Sequence, residues 1–520
     1  MQVTWTSVAL AAWLLSTVQA EAFEQCPQFF SDPDGLQTFV EERGVQDAPV
    51  KYFDKARAIR VDTRQSDRLI PRATFDPQGK PVIMYPAEFP PVLCRVALAT
   101  FMAIENGREP MDEETKAAGA CLLAGRSERD CLRDYAQVLE QRYQASFASM
   151  DWRKQQLAYT LATHALSQLA KHEYAHHLLD HFNRVPSAIA RIDAEFEADF
   201  YAILNGVQMG EAPPAMGYFF KEMAEMERQS EGLASRDYES SACRATNVAD
   251  ISDALGIAPM LLLDRVSDEG KFHNRDLTLG KVSDELEQSG EPSVSPDSCG
   301  RLAQTVLRKA RAELLTLTRL VAPYEALLVR RTAEQGDSAG GLGLNAPQIF
   351  TLIDQVQGAS RGMVHLKGLA VGTLAMLIRR VSLDGGEDAV SRQLDDIIQS
   401  LAVDIVSADY GRLLGVRALT ALYGARDQPL APRLDSAEPM FRKAVTFLPA
   451  LSEAWMNLAM IALVRGDCGK AAELEDKAAH TAEESGRANL EDLRDALLRA
   501  NADPDACAKL ARLFATHFAR

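Results

Sequence analysis

The chain has 520 residues, 47% of them hydrophobic and 25% charged, an ordinary globular balance with core volume for about two to four domains. Its formal net charge is −17 and no basic block offsets that acidity. This argues against nucleic acid as a main partner.

Residues 1–20 carry no charged side chain, and Val8 to Leu15 forms an apolar run. Val18-Gln19-Ala20 places small residues where a signal peptidase reads, with cleavage expected after Ala20. The run is short for a bilayer span, so the expectation is a signal peptide over 1–20 and export to the periplasm or beyond the cell. All eight cysteines follow it: Cys26, Cys94, Cys121, Cys131, Cys243, Cys299, Cys468 and Cys507. An even count in an exported chain permits disulfides, with buried free thiols as the alternative. Neighbourhood suggests Cys121–Cys131 and Cys468–Cys507. None forms a CxxC pair, which argues against a cysteine zinc site.

Residues 21–286 read as one unit. In Ala73 to Pro86, a Pro77-Gln78-Gly79 turn signal precedes the β-prone run Val82-Ile83-Met84-Tyr85. We read a hairpin or an edge strand closed by Pro86. From Pro91 the pattern is helical, and the charged stretch Arg108–Glu128 reads as a solvated insertion holding Cys121. Asp151 is placed to cap a long helix from Trp152. Leu161, Ala165, Leu169, His172 and His176 share one face of it, and Asn183 and Pro186 are expected to end it. A second helix is expected from Ser187 to Leu204, stopping at Asn205-Gly206.

The chemistry lies on these two helices. His172-Glu173-Tyr174-Ala175-His176 is an HExxH pattern. Residues four apart on an α-helix differ by about 40° of rotation, so both imidazoles reach one ion, and Glu173 beside them reaches a water on it. A third ligand must come from elsewhere. A short turn makes consecutive helices antiparallel, which returns Glu195 toward the histidines. His172, His176 and Glu195 then form a His₂Glu zinc site with an open fourth position. Asp199, four residues on, can accept a hydrogen bond from the outer nitrogen of a ligand imidazole, His172. Asp193 is a weaker alternative ligand. Glu197, about 200° from Glu195, is expected to face solvent. His164, His177 and His181 are read as structural, His181 lying about 180° from His172.

Residues 287–299 read as a linker, 300–430 as a helical region with a second Gly-rich linker at 336–347, and 431–520 as repeats. Leu369–Leu377, flanked by charge, is too short to span a membrane, so no transmembrane helix is expected after signal removal. Ala437, Phe441, Ala444 and Pro449, then Trp455, Leu458, Ala459, Gly466, Ala471 and Ala478, follow tetratricopeptide-repeat spacing, with a generic α-hairpin stack as the alternative. A loop at Gln428–Pro432 is expected to interrupt the first repeat's opening helix. Such a stack is a docking surface.

His172 to His181 followed by Ala194-Glu-Phe-Glu-Ala-Asp199 resembles the HtpX/BepA-like zinc peptidases, which pair an HExxH helix with a downstream ExxxD helix. The resemblance covers about residues 70–285. It implies a mainly α, zincin-like peptidase domain with a small β element, holding one zinc ion on His172, His176 and Glu195. Glu173 would be the general base and Asp199 the acid behind a ligand. Val82 to Tyr85 would stand where the family has a substrate-binding edge strand. The family's later His-Pro maps to His273, here followed by Asn274, which would cover the metal or stabilise an oxyanion. Lacking transmembrane helices, the chain is closer to the periplasmic type, whose repeats dock on envelope assembly machinery. The resemblance therefore implies a metalloendopeptidase hydrolysing unfolded or misassembled exported proteins. The competing reading is a non-catalytic periplasmic scaffold or chaperone with a structural zinc.

Overall fold

A computed structural model of the protein describes residues 32–64, 69–105, 124–148, 150–183, 188–208, 215–229, 241–254, 305–316, 406–423, 429–482 and 484–519, with a few isolated positions between. The signal segment, the 336–347 linker, Leu369–Leu377 and most of 287–299 lie outside the described residues, as do Cys26, Cys299 and His273. The protein is mainly helical with one small sheet.

Helix α1 (Pro33–Gln46) starts where the Asp32 carboxylate accepts from the Asp34 and Gly35 amides, with Pro33 pre-set for the first turn. A short α2 (Phe53–Arg57) leads into β1 (Arg60–Asp62). Strands β2 (Arg72–Phe75) and β3 (Pro81–Met84) form the expected hairpin. Its turn is fixed by the Asp76 carboxylate, which accepts from Gln78 and Lys80. The sheet order, however, is β1-β3-β2. β3 is the central strand, antiparallel to β2 and parallel to β1, so Val82, Ile83 and Met84 are not on an edge. Among the described residues β2 pairs with β3 alone, so the strand edge near the histidines belongs to β2. The three-residue β1 pairs across more than twenty positions, a contact that local sequence pattern does not announce.

Helices α3 (Phe89–Glu105) and α4 (Glu128–Ala148) pack together, and the Cys121–Cys131 disulfide, Cα–Cα 5.6 Å, ties the start of α4 to the segment just before it. The long α5 (Trp152–Leu178) follows Asp151 and runs through the centre, against α3, α1, α6 (Ala188–Gln208) and α7 (Ala215–Gln229). Its apolar face, Leu161, Ala165, Leu166, Leu169 and Ala170, is buried. Gly44 of α1 lets Tyr174 approach, since a Cβ there would meet the ring at 2.1 Å. Helix α8 (Ser241–Ala254) covers α6 and α7. Two helix ends differ from expectation. α5 stops at Leu178, where Lys55 binds the Leu178 carbonyl at 3.1 Å and Asp180 at 2.7 Å. Asp180 then turns the chain with φ 58°, into a 3-10 turn at His181–Asn183. α6 runs on through Asn205-Gly206 to Gln208. Gly206 is small for packing and not for capping, because a Cβ would lie 2.7 Å from the Glu211 carboxylate.

The C-terminal part is a stack of helices: α9 (Ser407–Tyr423), α10 (Leu430–Phe447), α11 (Ser452–Val464), α12 (Cys468–Thr481), α13 (Glu484–Asn501) and α14 (Pro504–Ala519). Each packs on its neighbour in sequence, and α14 also packs on α11. Ala437, Phe441, Ala444, Leu458, Ala459, Ala471 and Ala478 are all buried in it. The first hairpin takes α9 as its opening helix, upstream of residue 431. Pro432 sits in the first turn of α10, where a proline's missing N–H has no helical partner to lose, so the expected interrupting loop is instead helix from Leu430. Cys468–Cys507 clips α12 to α14, Cα–Cα 6.0 Å. The stack joins the rest through a shared core. Ser407 donates from its amide and its hydroxyl to the Ala48 carbonyl, both at 2.8 Å, and the Phe447 ring lies 4.4 Å from that of Phe53.

Among the described residues no helix is long and apolar enough to cross a membrane.

Candidate metal centre

The face of α5 that buries Leu169 also carries His172 and His176, one turn apart. Their Nε2 atoms are 3.0 Å apart. Helix α6, antiparallel to α5 after the turn at Asp180, brings Glu195 to the same point: Oε2 is 3.2 Å from His172 Nε2, and Oε1 is 3.5 Å from His176 Nε2. A tetrahedral site with bonds of about 2.0–2.1 Å has edges of about 3.4 Å. With one ligand atom taken from each residue, the three lie within 4.8 Å of one another, close enough to share one ion. The His₂Glu set therefore suits a zinc-sized divalent ion, and the chain has such a candidate group in His172, His176 and Glu195. Asp193 is not part of it.

Both imidazoles are fixed from behind. Asp199, fully buried, accepts from His172 Nδ1 at 2.8 Å, as the spacing predicts. His176 Nδ1 meets His181 Nδ1 at 3.0 Å, and His181 Nε2 lies 3.2 Å from Glu197. This overturns two expectations, since His181 does not face away and Glu197 does not simply face water. Counting 100° per residue past the true end of α5 was the error. The left-handed Asp180 folds the chain back, so that His181 lies under His176. Orientation of ligand imidazoles by such outer partners is the usual second layer of a metal site. His177 is structural, with its Nε2 3.2 Å from the Val82 carbonyl. Tyr85 is structural too: it is fully buried and its hydroxyl donates to the Leu166 carbonyl at 2.9 Å.

Arg244 of α8 was not singled out by the sequence. Its Nη2 is 2.7 Å and its Nε 3.3 Å from the two Asp199 oxygens, a forked pair. Nη1 stands 3.8 Å from Glu195, and the guanidinium lies 3.9 Å from the Phe220 ring centre. The one available signal was charge balance. Glu173, Glu195 and Asp199 gather three carboxylates in a buried space, which demands a cation. Nothing in the local spacing says that residue 244 supplies it. Its neighbour Cys243 is disulfide-bonded, as is Cys94.

The charges set the protonation of the site. Burial pushes Glu195 up, but His176, the hydrogen bonds from both histidines and Arg244 outweigh it and hold its carboxyl well below the usual range. Asp199 is likewise lowered: burial opposes this, and Arg244 and His172 prevail. Among the protein groups alone, burial and Arg244 push His172 down while Asp199 and Glu195 lift it to about 9. A metal ion would compete with a proton for this ring. Glu173 is different. It is 6% exposed, and burial raises its pKa against the lowering effect of the two histidines. Its carboxylate accepts from the Ala73 amide on the open side of β2. Glu173 and the strand edge are thus in direct contact.

Comparison with known proteins gives no match to a protein-family model, to a curated protein or to a solved structure.

Proposed function

We propose that the chain is a zinc-dependent endopeptidase of the HtpX/BepA-like kind, acting on unfolded or misassembled exported proteins. The observation that carries this reading is the convergence of His172, His176 and Glu195 on one point, with Glu173 beside them and a strand edge touching Glu173. Zinc held by those three residues would supply Lewis acidity, polarising a carbonyl and acidifying water.

The chain's own residues do the rest. The open edge of β2 receives an extended backbone by main-chain hydrogen bonds, the role first expected of Val82 to Tyr85. Glu173 takes the proton of the attacking water on its carboxylate and delivers it to the departing amine. Asp199 and Arg244 hold His172 in place, and His181 and Glu197 hold His176. Export is supported by the disulfides Cys121–Cys131 and Cys468–Cys507, since such bonds persist in oxidising compartments. Read as tetratricopeptide-like, the C-terminal stack of helices would recruit envelope partners or substrates on its faces.

Glu173→Gln should keep zinc and abolish chelator-sensitive cleavage of an unfolded protein. Unchanged turnover in that variant rules the mechanism out. A zinc-loaded parent that cleaves nothing favours the scaffold.

A further inference from the structure

Two aromatic rings lie open beside the centre. Phe75, the last residue of β2, is 45% exposed and Phe182, in the turn after α5, is 44% exposed. Their ring centroids are 5.0 Å apart, edge to face. Phe75 also meets His177 at 5.3 Å, and Phe182 lies 6.2 Å from the ligand His176. Neither ring is needed to fill the core at its exposed face, and burying such surface is favourable.

Strand geometry relates this pair to the chemistry. Ala73 and Phe75 are two residues apart, so their side chains share a face of β2, separated by about 6.7 Å. Their main-chain groups also share a strand side, and the Ala73 amide reaches Glu173 from that side. Glu173, Ala73, Phe75, Phe182 and His176 therefore form one continuous track. A peptide paired to the β2 edge, with its reacting carbonyl near Glu173, passes a side chain over the two rings about two residues away. Of the charged residues beside the rings in sequence, Asp76 accepts from the turn amides of Gln78 and Lys80, and Asp180 pairs with Lys55 at 2.7 Å.

We propose that Phe75 and Phe182 form a subsite for one large apolar side chain of the substrate, which selects where an unfolded chain is cut. This rests on the metallopeptidase reading for the cut, but the binding preference can be read without turnover. The probes are fluorescein-labelled Gly/Ser peptides with a single phenylalanine moved along the sequence, and the same set with aspartate. Binding is measured by anisotropy to zinc-loaded Glu173→Gln protein, alone and with Phe75→Ser, Phe182→Ser or the conservative Phe182→Leu.

The best phenylalanine peptide should bind about tenfold more tightly than its aspartate counterpart. The preference should fall to about twofold in Phe75→Ser and Phe182→Ser and persist in Phe182→Leu, with zinc content unchanged in all. On the active protein, cuts should fall at a fixed distance from the phenylalanine, and that restriction should disappear in Phe75→Ser. A preference that survives both serine variants, or a loss equal for phenylalanine and aspartate peptides, overturns the proposal. Cleavage that survives Glu173→Gln overturns the catalytic reading instead and leaves the binding comparison intact.

Discussion

Replacing Asp199 with asparagine keeps the shape of a side chain that no solvent reaches and removes its charge. In the parent, one Asp199 oxygen accepts from His172 Nδ1 at 2.8 Å and from Arg244 Nη2 at 2.7 Å. The amide oxygen of the variant can still accept from His172, so the ring keeps its orientation. It loses the anion that makes Nε2 a stronger donor. Arg244 loses its forked partner as well, and its nearest remaining anion among these groups is the ligand Glu195, 3.8 Å away. Both changes weaken the same site. Outer-partner substitutions of this kind lower metal affinity about 10- to 100-fold, or about 1.4–2.7 kcal/mol. The assay is competition for zinc against a chromogenic chelator at fixed pH, with circular dichroism to show that both proteins are folded. Glu197→Gln serves as comparison. It reaches His176 through His181 and is 29% exposed, so its loss should be smaller. A folded Asp199→Asn protein that binds zinc as tightly as the parent refutes the reasoning.

Lys171, the residue before His172, is 1% exposed and binds Glu211 at 2.7 Å and Asp47 at 3.0 Å. Lys171→Met removes the cation shared by two buried carboxylates, leaving Asp47 only Arg43 at 3.8 Å and Glu211 the Ser167 hydroxyl at 2.6 Å among the groups named, and should destabilise the N-terminal unit by about 3 kcal/mol in urea unfolding; a loss below about 1 kcal/mol contradicts the pairing. Glu475 of α12 is fully buried, neither oxygen has a hydrogen-bond partner, and burial raises its pKa to about 7 against the pull of Arg494. Its folded value lies above its unfolded value of 4.5, so the native state takes up a proton as pH falls. The stack should therefore gain stability from pH 7 down to about 4.5, by about 2–3 kcal/mol from this group. Glu475→Gln should remove that gain and raise stability above pH 7, as read by thermal melts across pH; a pH profile parallel to the parent's contradicts it.

The parts of the site that sequence made legible are those governed by helix period. His172, His176, Glu195 and Asp199 all sit at three- or four-residue steps on two consecutive helices, and a short turn fixes their relative direction. What sequence hid depends on where helices end and on contacts between distant segments. His181 seemed to face away only because rotation was counted beyond Leu178, where the helix has already stopped. Val82–Met84 read as an edge because its second partner, Arg60–Asp62, is too short to show an alternating pattern. Gly206 read as a cap because its packing neighbour, Glu211, cannot be seen in one dimension. Arg244 lies on a third helix, and only the need to balance buried carboxylates points to it.

The most direct measurement is zinc per chain in the parent, His176→Ala and Glu173→Gln proteins, with cleavage of an unfolded substrate assayed on the same samples. The account predicts about one zinc in the parent and in Glu173→Gln, little or none in His176→Ala, and cleavage by the parent alone. A folded parent that takes up no zinc, or a His176→Ala protein that holds as much as the parent, would contradict it.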